Sequence, residues 1–442
     1  MRQSDGDGSG RPAALVAALV AVMVGGSCTP GDEGATESET GGGSSSTTAA
    51  VDECTLNEGG ALVWTSIDAS PSGGAAAAHG IALAADGHLF VTGWIGGPPS
   101  THPGVFTNDD IFTRRMTRDG AGLWTLVHDG PPSGRDAGLG IAAWGADGAL
   151  VVGQWQPDAG THGEVWIRAI GGDAAVAWTS TAHGNNYADD AGQGVTVLAD
   201  GTAVVIGRMY GGAKGSDDGT IWLRRLSPEG AEMETAVVTA DGDPWHAGGT
   251  AVATTPGGGG IFAAGIRPKD GFSRVWASRR TDALAKVWEA TLVDAPGAAF
   301  GVASTLDGDA IVVGALGEVG ILGYGEGPTM GFIGRLRGDD GGVVWTQTRA
   351  EGAKQRVNAV AVEACGDLVV VGEVGDAAPR AWFAKLRPED GAEVWSIVEA
   401  VEAGEVSSRA YAVVVDADRS VYAAGQVTSA GGERFWVQRR GS

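Results

Sequence analysis

Asp147-Gly148-Ala149-Leu150-Val151-Val152-Gly153 decides how the rest of the chain is read. A turn dipeptide leads into a short apolar strand that stops on glycine. Asp-Gly favours the positive φ angles of a two-residue hairpin, so the stretch reads as the centre of two antiparallel strands. The same strand-then-glycine unit returns as Leu89-Phe90-Val91-Thr92-Gly93, Val204-Val205-Ile206-Gly207, Ile261-Phe262-Ala263-Ala264-Gly265, Ile311-Val312-Val313-Gly314, Val369-Val370-Val371-Gly372 and Val421-Tyr422-Ala423-Ala424-Gly425. The seven marks lie about 50–60 residues apart, the spacing of a repeat array.

Each unit carries the same parts. An apolar strand precedes the marked one, opened by Gly80, Gly140, Gly194 or Gly301, and turns such as Asp86-Gly87, Asp200-Gly201 and Asp307-Gly308 join the two. A third strand holds Phe112, Trp166, Trp222, Trp276, Phe332, Trp382 or Trp436, and a basic residue follows within three positions. A fourth holds Trp64, Trp124, Trp178, Trp288, Trp345 or Trp395, and the unit with Met233 lacks this tryptophan. Large aromatics at equivalent repeat positions fill the wedge between twisted sheets. The pattern specifies an all-β, seven-bladed β-propeller of four-stranded antiparallel blades over residues 54–442. The chain enters on a fourth-type strand (61–67) and leaves on a third-type strand (435–440). The N-terminal strand is therefore expected to complete the last blade and remove the open edge.

Gly-x-x-x-Trp occurs at Gly60/Trp64, Gly120/Trp124, Gly341/Trp345 and Gly391/Trp395. It resembles the tryptophan-docking motif of quinoprotein-type propellers. The Asp-Gly turn followed by Val-Val-x-Gly resembles bacterial secreted β-propeller repeats, including the sixty-residue kind. The resemblance spans residues 61–442 and implies the fold. It does not carry quinone use over, because quinoprotein enzymes usually have eight blades, with catalytic Asp and calcium-ligand positions that find no match here.

Residues 1–27 read as a secretory signal: Arg2 and Arg11, an apolar run over 13–24, then Gly25-Gly26-Ser27. The segment resembles a bacterial lipoprotein signal, which implies a lipid on Cys28 and anchoring to the cell envelope, at the outer membrane. Plain cleavage near Ser27 with secretion is the alternative. Residues 28–53 hold six acids, no base and no aromatic, a composition expected to stay disordered and to act as a tether. As a Gly/Ser-type coil it would reach about 25–30 Å.

Charge excludes one class of partner. With 30 basic and 54 acidic residues the chain carries −24, the wrong sign for a nucleic-acid surface. The membrane is met only through the N-terminal lipid. No nucleophile elbow, His-Glu-x-x-His or Cys-x-x-Cys is present, so no catalytic residues, metal or cofactor are assigned.

One asymmetry points to a ligand. The seven histidines all lie between His79 and His246. In propeller connectivity most of them fall near the face that carries the second-to-third strand loops and the blade-to-blade connections. His79, Asp136, His162, His183, Asp190 and His246 are the candidate ligand-binding residues, and later blades offer Arg356 and Arg409 near the same mouth. The reading that follows is a monomeric, envelope-anchored binding or scaffold module for a protein or glycan. A propeller enzyme acting on glycans, a quinoprotein relative and a purely structural envelope protein are the alternatives. Export to an oxidising compartment leaves Cys54 and Cys365 as an even pair once Cys28 is lipidated. Both map to the opposite face, in neighbouring blades, and are expected to form a disulfide.

Overall fold

The computed structural model describes residues 59–441 except 71–72, 97–108, 129, 131–133, 159–160, 185–188, 211–218, 240–246, 318–327, 353 and 401. The signal, the tether and Cys54 lie outside the described residues. Among the described residues there are seven four-stranded antiparallel sheets and no helix. Blade 1 is typical: Ala76–Leu83 innermost, then Leu89–Gly96, Asp109–Met116 and Gly122–His128 outermost. Blades 2 to 6 follow within residues 137–182, 191–238, 248–291, 297–349 and 355–398. Each innermost strand packs on the innermost strand of the next sheet, and the seventh packs on the first. That closes the β-propeller.

Blade 7 takes three strands from the C-terminus and its outermost from the N-terminus. Leu62–Asp68 pairs antiparallel with Gly432–Arg440, from Leu62 opposite Arg440 to Asp68 opposite Phe435. The expected closure is present.

The marked glycines have a common cause. A Cβ on Gly93 would lie 1.9 Å from the Ala77 carbonyl oxygen, and at Gly153, Gly207, Gly314, Gly372 and Gly425 it would come within 2.0 Å of the facing carbonyl. The innermost strand crosses its neighbour too closely for any side chain at these points. Just beyond, every innermost strand carries a one-residue bulge, at His79, Leu139, Gln193, Thr250, Phe300, Asn358 and Tyr411. Gly80, Gly140, Gly194 and Gly301 therefore follow a bulge inside the strand rather than opening it.

The hairpin turns also differ from expectation. Asp86-Gly87, Asp200-Gly201 and Asp307-Gly308 close three-residue loops, not two-residue ones, whereas Gly148 of Asp147-Gly148 is already in the second strand of its blade and Gly145 takes the positive φ there. In blade 1, Gly87 N–H bonds to Ala84 O while Ala84 N–H bonds to His88 O. Only the glycine has positive φ (84°), as a type I turn with a G1 bulge requires. Asp86 earns its place otherwise, accepting the His88 N–H at 3.0 Å as an Asx turn.

The third-strand aromatics are the wedge. Trp166, Trp222, Trp276, Trp382, Phe112 and Phe332 are buried between blades. The fourth-strand tryptophans work at the lower rim, where five of the six indole N–H groups donate to a turn carbonyl of the following blade. The pairs are Trp64 to Arg118, Trp124 to Gly172, Trp178 to Pro228, Trp288 to Gly338 and Trp345 to Pro388, at 2.8–3.0 Å.

Candidate functional site

The six residues singled out from sequence do not meet at one place, and His246 lies outside the described residues. Asp136 and Asp190 are fully buried just before the innermost strands of blades 2 and 3. Their carboxylates cap backbone. Asp136 Oδ1 accepts Gln156 N–H at 2.8 Å, and Asp190 accepts Tyr210 N–H at 2.7 Å and Gly184 N–H at 2.5 Å. Burial raises Asp190 to about 6, against the pull of those two N–H groups. Exposed His162 comes 3.7 Å from Asp189, and exposed His183 has Nδ1 3.1 Å from Gly184 O. His162, His183 and Asp190 thus lie at the seam of blades 2 and 3, while Asp136 lies at the seam of blades 1 and 2, its N–H bonded to Asp109 O. Among the described residues no group of three or more His, Cys, Asp or Glu is arranged to hold a metal ion.

His79 stands apart, on the bulge of blade 1 at the ring centre. Its ring stacks on Tyr411, the bulge residue of blade 7, with centroids 4.7 Å apart. Trp94 Nε1 donates to His79 Nε2 at 3.2 Å. An indole N–H only donates, so His79 is the neutral tautomer with its proton on Nδ1. Burial lowers its pKa to about 4, which keeps it neutral at pH 7.

From Tyr411 the network continues. Its hydroxyl donates to Gln426 Oε1 (3.2 Å), and Gln426 Nε2 donates to Glu433 Oε2 (2.9 Å). Beside it, Arg409 Nε donates to Glu373 Oε2 of blade 6 at 2.7 Å, while Arg356 Nη1 stays 3.8 Å from Glu373 Oε1. Blades 6, 7 and 1 together form one polar and aromatic mouth on the upper face.

Register explains why it is confined to these blades. The inner-strand residue paired with the position after the marked glycine is Ala77, Ala137, Ala191, Gly248 and Ala298 in blades 1 to 5, but Arg356 and Arg409 in blades 6 and 7. Facing them are Glu373 and Gln426, where blades 1 to 5 have Trp94, Gln154, Arg208, Ile266 and Ala315, so it is the inner-strand arginine that sets blades 6 and 7 apart. Sequence reading found His79, Arg356 and Arg409 but missed Tyr411, Glu373, Gln426 and Glu433. The missed signal is positional: the residue after each strand-ending glycine and the residue before each bulge-closing small residue.

Two further cavities lie away from the mouth. One of about 260 Å³ sits between blades 6 and 7 beside Glu399 and Arg440. The other, about 740 Å³, lies at the lower turns of blades 3 and 4, between Asp200, Gly257–Gly260 and Asp282.

No family model and no curated protein matches the chain. Solved structures do. A protein of unknown function from Dyadobacter fermentans is 10% identical, with 87% of this chain and 99% of that one covered and a TM-score of 0.51. Kuenenia stuttgartiensis hydrazine synthase is 12% identical over 83% of this chain and 96% of that chain, with a TM-score of 0.50. BamB from Moraxella catarrhalis is 11% identical over 85% and 97%, at a TM-score of 0.41. At such identities the likeness speaks for the fold alone.

Proposed function

We propose that the chain is an exported binding module, held to the bacterial envelope through Cys28 and presenting the upper mouth of a monomeric propeller to a ligand. The observation that carries this reading is the contrast in register just described. Two blades replace the small residue of the repeat with arginine at one place, and three blades join there in a single network. A packing role alone would be served by the alanine or glycine found in the other five.

The signal, the lipoprotein-like cysteine and the acidic tether support display at a membrane surface. Cys365 is disulfide-bonded, in keeping with an oxidising compartment, and its partner lies outside the described residues. We assign Cys54 as that partner. Gly60, six residues on, sits against Trp395 and Ile397 of blade 6, the blade that carries Cys365. Peptide mapping of the unreduced protein is expected to yield a Cys54–Cys365 linked peptide and, after labelling with an alkynyl fatty acid, a modified Cys28. A Cys28–Cys365 linkage would defeat both the assignment and the lipid anchor.

The binding reading is tested by thermal-shift screening of the chain with metals, glycans and quinones. A true ligand raises Tm in proportion to the logarithm of its concentration. A saturable shift abolished by mouth substitutions is expected. A ligand that binds but ignores such substitutions would relocate the site.

A further inference from the structure

We propose that the mouth formed by blades 6, 7 and 1 binds an acidic saccharide, with the sugar carboxylate on Arg356 and Arg409 and the sugar ring against Trp94 and the His79–Tyr411 stack. The proposal rests on the binding reading above and adds the ligand's chemical class.

The first argument is the inventory of hydrogen-bond donors. A guanidinium carries five N–H groups in a fixed fork. The Arg356 side chain is only 14% exposed, yet among the described residues it makes no hydrogen bond and only the 3.8 Å approach to Glu373. Arg409 bonds Glu373 through Nε, and no hydrogen bond of its Nη groups is seen among the described residues. Two guanidiniums thus converge on a single carboxylate. A mostly covered arginine with unused donors is unfavourable unless water or a ligand supplies acceptors. A second carboxylate, accepting from both forks, would complete the pair as Arg–carboxylate geometry favours.

The second argument separates a sugar from other anions. Around the arginines stand groups suited to hydroxyls. Glu433 and Gln426 offer acceptor oxygens, and neutral His79 keeps an Nδ1–H that no described residue accepts. Trp94, half-buried on the second strand of blade 1, is held by its bond to His79 and offers a ring face. A small inorganic anion would use the arginines and leave this aromatic and hydroxyl-matching side unused.

The third argument is the repeat itself. Every element of the mouth occupies a position that has a counterpart in each other blade, so neutral drift of loops does not account for it. The counterparts of Arg356 are small, and those of Glu373 include Ile266 and Ala315. The bulge position, filled by Leu139, Gln193, Thr250, Phe300 and Asn358 elsewhere, holds the two aromatic rings His79 and Tyr411 that stack where blades 1 and 7 meet.

Isothermal titration of residues 52–442, which contain all seven blades, tests this directly. The probes are galacturonic acid oligomers, galactose, 4-hydroxybenzoate and inorganic phosphate. Galacturonate is expected to bind saturably, with galactose weaker by about 10- to 100-fold, the factor that corresponds to a charged hydrogen bond. Arg356→Gln should weaken galacturonate by a similar factor and leave galactose unchanged. Trp94→Phe should weaken both sugars together. Should Arg356→Gln fold poorly by circular dichroism, Arg409→Lys keeps the charge and removes the fork, and a loss of binding there supports the same assignment. Equal binding of galactose and galacturonate overturns the carboxylate site. Tighter binding of 4-hydroxybenzoate or phosphate overturns the saccharide. Binding of none of the four at millimolar concentrations also overturns the proposal, while a ligand found by the wider screen would leave the binding reading standing.

Discussion

The lower rim and the upper mouth of this ring are built from the same seven repeats and treat them in opposite ways. At the rim, one device recurs: a tryptophan of one blade docks on the turn of the next. The turn glycine is what makes room. A Cβ on Gly120, Gly230, Gly341 or Gly391 would come within about 3 Å of Trp64, Trp178, Trp288 or Trp345 of the preceding blade. The glycine of Gly-x-x-x-Trp therefore serves the neighbour's tryptophan, not its own. The seam between blades 3 and 4 shows the rule by breaking it. Glu234 stands where the other blades have the tryptophan, paired with Arg225 as Trp124 is with Arg115, and the facing turn has Leu284 instead of glycine. Leu284 turns inward and packs in one cluster with Val238 and Ile261. At the mouth, by contrast, equivalent positions hold different chemistry in almost every blade. Repetition marks what holds the ring together, and departure from repetition marks where the blades differ in chemistry.

The largest expected effect lies at the rim. Trp288→Ala removes an indole that is 8% exposed and hydrogen-bonded, and should cost about 3–5 kcal/mol in urea unfolding. Glu234→Ala, at the equivalent site of the undocked seam, should cost no more than about 1 kcal/mol, the worth of its partly exposed 3.9 Å approach to Arg225. Equal losses would mean that docking is not what stabilises the rim.

A glycine pair sharpens the same point. Gly341 and Gly308 both have positive φ, 72° and 92°, but a Cβ on Gly341 would lie 2.7 Å from Trp288 and one on Gly308 meets nothing within 4 Å. Gly308→Ala should cost about 1–2 kcal/mol from backbone alone. Gly341→Ala should cost about 2–4 kcal/mol, because overpacking against the indole adds to it. Chemical denaturation of the two variants isolates the contact.

At the mouth the accessible quantity is the pH dependence of stability. His79 titrates near 4 when folded and near 6.5 when unfolded, so between those values the unfolded state binds more protons. Its contribution is present above 6.5 and is lost as pH falls toward 4. Asp190, raised to about 6 from 3.8, has the opposite sign: the folded state holds the extra proton, and stability is lost as pH rises through 6. The two nearly cancel between pH 4 and 6. In His79→Gln, Tm should therefore rise toward pH 5 relative to the parent. A parallel pair of Tm curves would show that His79 is not held neutral at the ring centre.

The smallest effect separates the closing seam from the rest. Trp395 faces the point where blade 7 has two chain ends instead of a turn. Its indole N–H meets no acceptor among the described residues, although Gly60 still packs on the ring. Trp345→Phe should cost about 1 kcal/mol more than Trp395→Phe, the worth of one hydrogen bond. Equal values in thermal unfolding would mean that the docking bond contributes nothing net.

The number of blades, the four strands of each and the closing of the last blade by residues 61–67 could all be read from sequence. Turn glycines, apolar alternation and repeat spacing act over a few residues, and seven copies average out local ambiguity. Even the exception in the Met233-Glu234 strand was visible as a missing letter. The bulges were not, because a bulge is set by how the innermost strand must bend around the ring axis, and Gly80 or Gly140 looks the same opening a strand as following a bulge. The two-residue turn reading failed for a related reason: Asp-Gly serves equally well as the end of a three-residue loop. The roles of Asp136 and Asp190 also needed the fold, since Gln156 and Tyr210, whose N–H groups they cap, lie twenty residues on at the far end of the second strand of each blade. Least legible of all was the mouth. Tyr411 meets His79 across the whole length of the ring, Arg409 meets Glu373 across a blade seam, and neither pair has a local signature. Short-range periodicity determines which strands form. Only ring closure brings the first blade against the last, and there alone does His79 of blade 1 meet Tyr411 of blade 7.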